Sequence, residues 1–271
     1  MSLRLLRRVP TARRRSLLAL GAQLALAAVL TISSYGAFTG GAPNAPSLGK
    51  EGGNYALASA SAGNGYWLAT RSGAVRAFGD RSFGPSTKTS APVVGIASTP
   101  DGSGYWELCS NGAVYHFGDA KWYGSAHIRA DLRDFVSVQA TPDGGGYWLL
   151  EWSGRIWAFG DAKFLGTHRS AHVRSRLVGM AVMPEGNGYW VADAVGHVFR
   201  FGAARFYGAA VSLHLKARVV GIAATSDGRG YWLATSTGEV VAFGDAVSYG
   251  SLLPRPRSAI VGIAGTPDGG G

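Results

Sequence analysis

An all-β fold, a β-propeller of about five four-stranded blades behind an N-terminal signal or anchor helix, is what this sequence predicts. Three observations carry the prediction. The tripeptide Gly-Tyr-Trp begins at Gly65, Gly104, Gly146, Gly188 and Gly230, spaced by 39, 42, 42 and 42 residues, and a Phe-Gly pair follows each with the same spacings. Two markers in register at a period near forty are the signature of propellers and arrays. The 41 glycines of this 271-residue chain separate short runs of branched and aromatic residues, where tight hairpin turns require positive φ. No helical apolar periodicity is present after residue 50.

The elements follow in chain order. Residues 1–36 hold a basic stretch ending at Arg15, an apolar run over about Ser16 to Ile32 and small residues before Ala37. That order predicts a secretory signal peptide cleaved after Ser34-Tyr35-Gly36, or a membrane anchor if uncleaved. "RRRSLL" also resembles a twin-arginine signal. Residues 37–54, rich in Gly, Pro, Ala, Ser and Asn, are expected to be a flexible linker. Repeat units are expected near 55–93, 94–134, 135–176, 177–218 and 219–259.

One unit shows four strand-like pieces: "VVGIAAT", "YWLAT", "EVVAF" and a short "VSYG", divided by the turns "SDGRG", "STG" and "GDA". A β-solenoid of hairpins is the rival geometry. The stretch 260–271 repeats the first strand of a unit, and the matching N-terminal copy, "YALASA", is the weakest. Ile260 to Gly265 is therefore expected to add a strand to the first blade and close a five-membered ring, giving a monomer. A truncated array, completed in a longer protein or by self-association, is the other reading.

These residues resemble the GYW/FGDA propeller-type repeats of proteins exported by high-GC bacteria, over about residues 55 to 271. The similarity to tectonin repeats and to those of the regulator-of-chromosome-condensation family is looser. The resemblance implies a propeller with a binding or scaffolding role. Ala203 departs from it, standing where other units carry Asp80, Asp119, Asp161 and Asp245.

Bulk properties narrow the function. The net charge of +10 points to a polyanion until its location is considered. Six arginines precede residue 16 without an acid, and the remainder has 20 basic against 16 acidic residues, so nucleic acid is not an expected partner. The single cysteine, Cys109, leaves no intramolecular disulfide or cysteine metal cluster and reads as a small buried side chain. There is no nucleophile elbow, phosphate loop or H-E-x-x-H motif.

Trp67, Trp106, Trp148, Trp190 and Trp232, with Phe78, Phe117, Phe159, Phe201 and Phe243, are read as the structural repeat core, sealing blade against blade. Trp122, Trp152 and Trp157 have no tryptophan counterpart in other units and are the freer aromatics. The aspartates after Phe-Gly are read as turn caps and not as a metal cage, since one carboxylate per blade is no cluster. His168 and His172 fall in a loop, outside helical ligand geometry. Glu151 and Asp193 share one repeat position in adjacent units and are the pair a glycan-acting hydrolase or lyase would use. No catalytic residue, metal site or cofactor is expected.

Blade topology predicts a two-faced disc. First and third turns place Asp101, Asp143, Glu185, Asp227 and Asp268 with the Phe-Gly-Asp aspartates on one face. The inter-blade links place Lys88, Arg129, Arg133, Arg169, Arg174, Arg176, Lys216, Arg218, Arg255 and Arg257 on the other, among His127, His168, His172 and His214, with Asp131 and Asp134 opposing. The expected function is an exported, non-catalytic binding or scaffold module. Its basic face would dock an anionic cell-envelope polymer, lipid headgroups or an envelope protein. A structural spacer without ligand is a third reading.

Overall fold

The computed structural model describes residues 28–31, 55–59, 65–79, 83–84, 89–126, 135–167, 175–252, 256 and 259–266. A first strand, β1 (Ala28–Thr31), precedes five three-stranded antiparallel sheets. Blade one holds β2 (Tyr55–Ser59), β3 (Tyr66–Thr70) and β4 (Val75–Phe78). Blade two holds β5 (Val93–Ser98), β6 (Gly104–Cys109) and β7 (Val114–Gly118). Blade three holds β8 (Phe135–Ala140), β9 (Gly146–Glu151) and β10 (Ile156–Gly160). Blade four holds β11 (Leu177–Val182), β12 (Gly188–Asp193) and β13 (Val198–Gly202). Blade five holds β14 (Val219–Ala224), β15 (Gly230–Thr235) and β16 (Val240–Gly244), and β17 (Ile260–Ala264) follows.

The Gly-Tyr-Trp strand is the middle of every sheet, so both its faces are covered by neighbouring blades. Successive side chains of a strand point to opposite faces, and the tyrosine and tryptophan therefore serve different seams. Trp106 and Leu108 pack with Tyr147 and Leu149 of the next blade, while Tyr105 and Cys109 pack with Trp67 and Ala69 of the preceding one. Each seam thus joins the tryptophan of one blade to the tyrosine of the next, at ring separations of 5.7, 5.6, 6.0 and 5.5 Å for Trp67–Tyr105, Trp106–Tyr147, Trp148–Tyr189 and Trp190–Tyr231. All five tryptophans are buried. The five repeat phenylalanines are half-buried, stacking on the tyrosines from the rim, as Phe117 does on Tyr105 at 5.1 Å.

In blades two to five the expected fourth strand does not form as a strand among the described residues. Its segment runs back along the outer strand and is held by side chains instead of a ladder. Trp106, Trp148, Trp190 and Trp232 donate Nε1–H to the carbonyls of Lys121, Lys163, Arg205 and Val247 at 2.6 to 2.8 Å. The hydroxyls of Tyr105, Tyr147, Tyr189 and Tyr231 cross the seam to the closing-glycine carbonyls of the preceding blades, Gly84, Gly124, Gly166 and Gly208, each at 2.6 Å. Those carbonyls are taken by side chains, and Gly124, Gly166 and Gly208 bend the chain at φ of 132 to 144°. A Cβ there would also strike the ring of Phe159, Phe201 or Phe243 at 2.4 to 2.7 Å.

A backbone clamp repeats at the opposite end of each blade. The first N–H of an inner strand donates to the hairpin turn of the preceding blade: Val93 to Arg71, Phe135 to Ser110, Leu177 to Trp152, Val219 to Ala194. Ile260 donates to the Ser236 carbonyl at 3.0 Å in the same way. Strand β17 therefore takes a full angular step beyond blade five. It packs between β14 and β2 without joining the first sheet, whose inner position β2 already fills. The expectation that it closes the first blade is corrected: the inner strands form a ring of six, five of them in complete three-stranded blades.

The expected N-terminal helix is corrected as well where it is described. Ala28–Thr31, within the apolar run, is a strand paired with β17, because an apolar, β-branched segment can satisfy that strand's open edge. The rest of residues 1–36 and the linker 37–54 lie outside the described residues. Among those described, no helix is long and apolar enough to cross a membrane.

Candidate binding faces of the disc

Hydrogen bonds fix which turns share a face. The residue after each Phe-Gly donates to the first turn of its own blade: Asp119 to Ser103, Asp161 to Gly145, Asp245 to Arg229. The first turn and the end of the outer strand therefore lie together. The second turn and the start of the next blade lie together at the other end, through the clamp.

On the first face the carboxylates come in pairs, which sequence reading missed. Asp101 with Asp119, Asp143 with Asp161 and Asp227 with Asp245 stand close enough to shift one another's ionisation. Each pair is split by its surroundings. Thr99 Oγ1 donates to Asp101 at 2.7 Å and the Ser103 N–H adds a second bond at 3.1 Å, pulling this carboxyl down to about 2. Asp119 is pushed above its ordinary value by desolvation and by Asp101. Asp143 is lowered first by Thr141, and Asp161 raised first by desolvation. In blade five the Arg229 N–H and Thr225 lower Asp227, while Asp245 is raised by desolvation. A constant spacing of eighteen residues within the pairs was the signal available. The turn N–H groups of Ser103, Gly145 and Arg229 are accepted by the first-turn aspartates Asp101, Asp143 and Asp227, and not by the aspartates after Phe-Gly that the sequence suggested. Among the described residues Lys121, Lys163, Arg205 and Arg229 are cations of this face, and Arg229 Nε lies 3.8 Å from Asp227.

On the second face stand Arg176, Lys216 and Arg218, three of the nine cations singled out for binding, all exposed. Arg176 and Arg218 hold equivalent places before Leu177 and Val219. Their carbonyls accept the N–H of Ala194 and Ser236, both at 2.9 Å, so the backbone is anchored while each guanidinium projects to solvent. Among the described residues the ion pairs are Asp193–His197 and Asp227–Arg229, and neither involves these three cations. The guanidinium of Arg176 lies 5.9 Å over the Trp152 ring, and Arg155 lies 3.9 Å over Trp157. Val195, Val211 and Leu213 are exposed beside them, on the second turn of blade four and in the link to blade five. His214, which ends a short 3-10 turn, is exposed on the same link. Arg129, Arg133, Arg169, Arg174, Arg255 and Arg257 lie outside the described residues, as do Lys88, His127, His168 and His172.

The carboxylates considered for catalysis are occupied locally. Asp193 accepts the N–H groups of Val195, Gly196 and His197 at 2.9 to 3.1 Å and holds His197 Nδ1 at 2.8 Å. Glu151 accepts from Ser153 Oγ and from Trp157 Nε1. Asp193 plays the part that Thr70 and Thr235 play in their blades, where the threonine Oγ1 accepts an N–H four residues on. Trp122 is 57 % exposed on the rim of the first face and Trp152 40 % exposed on the second, while Trp157 is half-buried.

Cys109 is buried, and desolvation pushes its thiol up to about 11, away from the thiolate a nucleophile needs. Glu107 is fully buried at a position held by Leu68, Leu149, Val191 and Leu233 in other blades. It shares a strand face with Tyr105 and Cys109 and adds to the rise of both. Aligning the repeats by register would have exposed it.

No family model matches the sequence, and no curated protein does. Among solved structures the fold is similar to the Cps50 (Swd1) beta-propeller domain of Myceliophteria thermophila, with a TM-score of 0.51 and 9 % identity over 70 % of this chain. The chain spans 65 % of that domain's length. The likeness is one of fold, and it agrees with the blade architecture: the repeat region is a β-propeller.

Proposed function

We propose that this protein is an exported, non-catalytic β-propeller module that docks an anionic polymer of the cell envelope through its basic face. The propeller fold supports a binding or scaffold role. The single observation that carries the polarity of the reading is the pair Arg176 and Arg218. They repeat with the blade period on one face, are fixed at the backbone by the clamp, and are exposed at the side chain. A fixed backbone lowers the ordering cost of binding, and guanidinium forks suit phosphate and carboxylate groups. Trp152 beneath Arg176 adds a flat apolar surface for a sugar or headgroup.

Export rests on the leader's order of basic, apolar and small residues and on the resemblance to exported GYW/FGDA repeat proteins. With Glu151 and Asp193 bound into separate turns, a hydrolase or lyase has no carboxylate pair in support.

Co-sedimentation of the purified chain with anionic wall polymer tests the proposal. Affinity is expected to fall steeply between low and physiological salt, and to fall about ten-fold when Arg176 and Arg218 are both changed to Ala. Binding indifferent to salt and to these changes would exclude the basic face.

A further inference from the structure

Trp122, Phe164 and Phe206 stand at one position of three consecutive repeats, 42 residues apart, in the stretches Lys-Trp-Tyr-Gly, Lys-Phe-Leu-Gly and Arg-Phe-Tyr-Gly of blades two, three and four. They are 57, 59 and 55 % exposed. Scattered apolar residues on a surface need no explanation, but large rings left out at the same place three times running do. The backbone that carries each ring is fixed on both sides. The residue before it gives its carbonyl to the core indole of its own blade, Lys121 to Trp106, Lys163 to Trp148 and Arg205 to Trp190. The residue after it donates its N–H to the tyrosine hydroxyl of the next blade, Tyr123 to Tyr147, Leu165 to Tyr189 and Tyr207 to Tyr231, at 3.2 to 3.3 Å. In blade five Ser248 takes the place of the ring, and the Trp232 indole still binds the Val247 carbonyl before it. Ser248 is exposed as the rings are, so the fold needs no aromatic there. A ring held on a fixed backbone loses little freedom when a ligand covers it.

Equivalent positions of a propeller lie at one level around its axis. The three rings therefore form an arc on the rim, with one blade step between neighbours. Each is preceded by an exposed cation, Lys121, Lys163 or Arg205, whose N–H groups are donors beside the ring. Phe164 and Phe206 have no polar side-chain atom, so what they offer is a flat apolar face. In blades two and three an exposed aspartate, Asp119 or Asp161, stands two residues before the cation and offsets its charge, while blade four has Ala203 there. A polyanion or an anionic bilayer finds little net attraction along such an arc. A pyranose ring suits all three features: a face of C–H groups for the aromatic, hydroxyls for the donors, and no charge. A chain of pyranoses supplies the repeat.

We infer that the rim of blades two to four is a binding site for an uncharged linear polysaccharide, with Trp122, Phe164 and Phe206 as its three stacking platforms. The site is separate from the basic face and does not rest on that reading. One stacked sugar is held weakly, and affinity comes from engaging several platforms along one polymer chain.

The test is affinity electrophoresis of the full chain in native gels containing mannan, hydroxyethylcellulose or dextran. At least one of these uncharged polymers is expected to retard the chain. Changing Trp122, Phe164 and Phe206 together to Ala is expected to weaken that binding at least ten-fold, with the thermal midpoint unmoved because the rings are exposed. Ser248→Trp adds a fourth platform and is expected to strengthen binding several-fold. Arg176→Ala with Arg218→Ala should leave it unchanged, so failure of the basic face and failure of this site are read separately. Free migration in all three gels would overturn the inference, and so would equal retardation of the triple variant. A triple variant that melts well below the native chain would assign the rings to packing, which also overturns it. Sedimentation of the native chain with phosphatidylcholine vesicles, lost in the triple variant, would give the arc to lipid and overturn it too.

Discussion

The two faces of the disc carry opposite charge for different reasons. The acidic face is written into the repeat: Thr141 binds Asp143 and Gly146, the Gly145 N–H donates to Asp143, and the turn is held by the same groups that make it negative. The basic face owes its charge to links and turns of irregular sequence, where Arg176 and Arg218 give the fold a carbonyl and leave the guanidinium outside. Carboxylates used to hold turns have few lone pairs left for a ligand, while unpaired guanidiniums keep all their donors. On the proposed reading, the face that folding does not need is the one that binds.

Four changes break or sharpen this contrast. Both faces hang on the aromatic seams, so Trp148→Ala should cost about 3–5 kcal/mol by loss of packing and of the Nε1–H bond to Lys163. Urea titration followed by fluorescence reads this loss, and a cost under about 1 kcal/mol would contradict the seam. The double change of Arg176 and Arg218 to Ala should cost about ten-fold in polymer affinity, near 1.4 kcal/mol, with unfolding midpoints unmoved.

On the other face Thr141→Val should cost about 1–2 kcal/mol of stability, since it leaves the Gly146 N–H without its acceptor, and should leave polymer binding unchanged. The smallest effect is Asp161→Asn. The raised Asp161 carboxyl resists ionising in the folded state, so it opposes folding once pH rises above the ordinary aspartate value near 3.9 and up through its own higher value. The amide should therefore stabilise slightly at pH 7, and the gain should vanish below about pH 3.5 in thermal melts. Asp143, lowered by Thr141, works with the opposite sign. Its stability contribution is present above the ordinary value and is lost as pH falls through its depressed one.

Much of this was legible from residue order. The five Gly-Tyr-Trp strands became the five middle strands, and which turns share a face follows from counting antiparallel strands. Glu151 and Asp193 read as a pair because they share a repeat position. Their use by local turns was not visible, since capping depends on side-chain reach and backbone direction. The carboxyl pairs were missed because their members come from different turns that only strand pairing brings together. The fourth strand failed for a related reason: "VSYG" has strand-like residues, but the Trp232 indole takes the Val247 carbonyl, and at the matching segment of blade four the Tyr231 hydroxyl takes that of Gly208.

By itself the sequence determined the wedge: a glycine-punctuated unit with an aromatic pair in its middle strand, because alternation and turn chemistry act over a few residues. How many steps the ring takes was decided by the tertiary structure. The angle between wedges is set by how Trp and Tyr pack across a seam, and that angle places β17 in a sixth position instead of in the first blade. Only the folded chain could pair Ala28–Thr31, read in sequence as part of a signal or anchor helix, with β17.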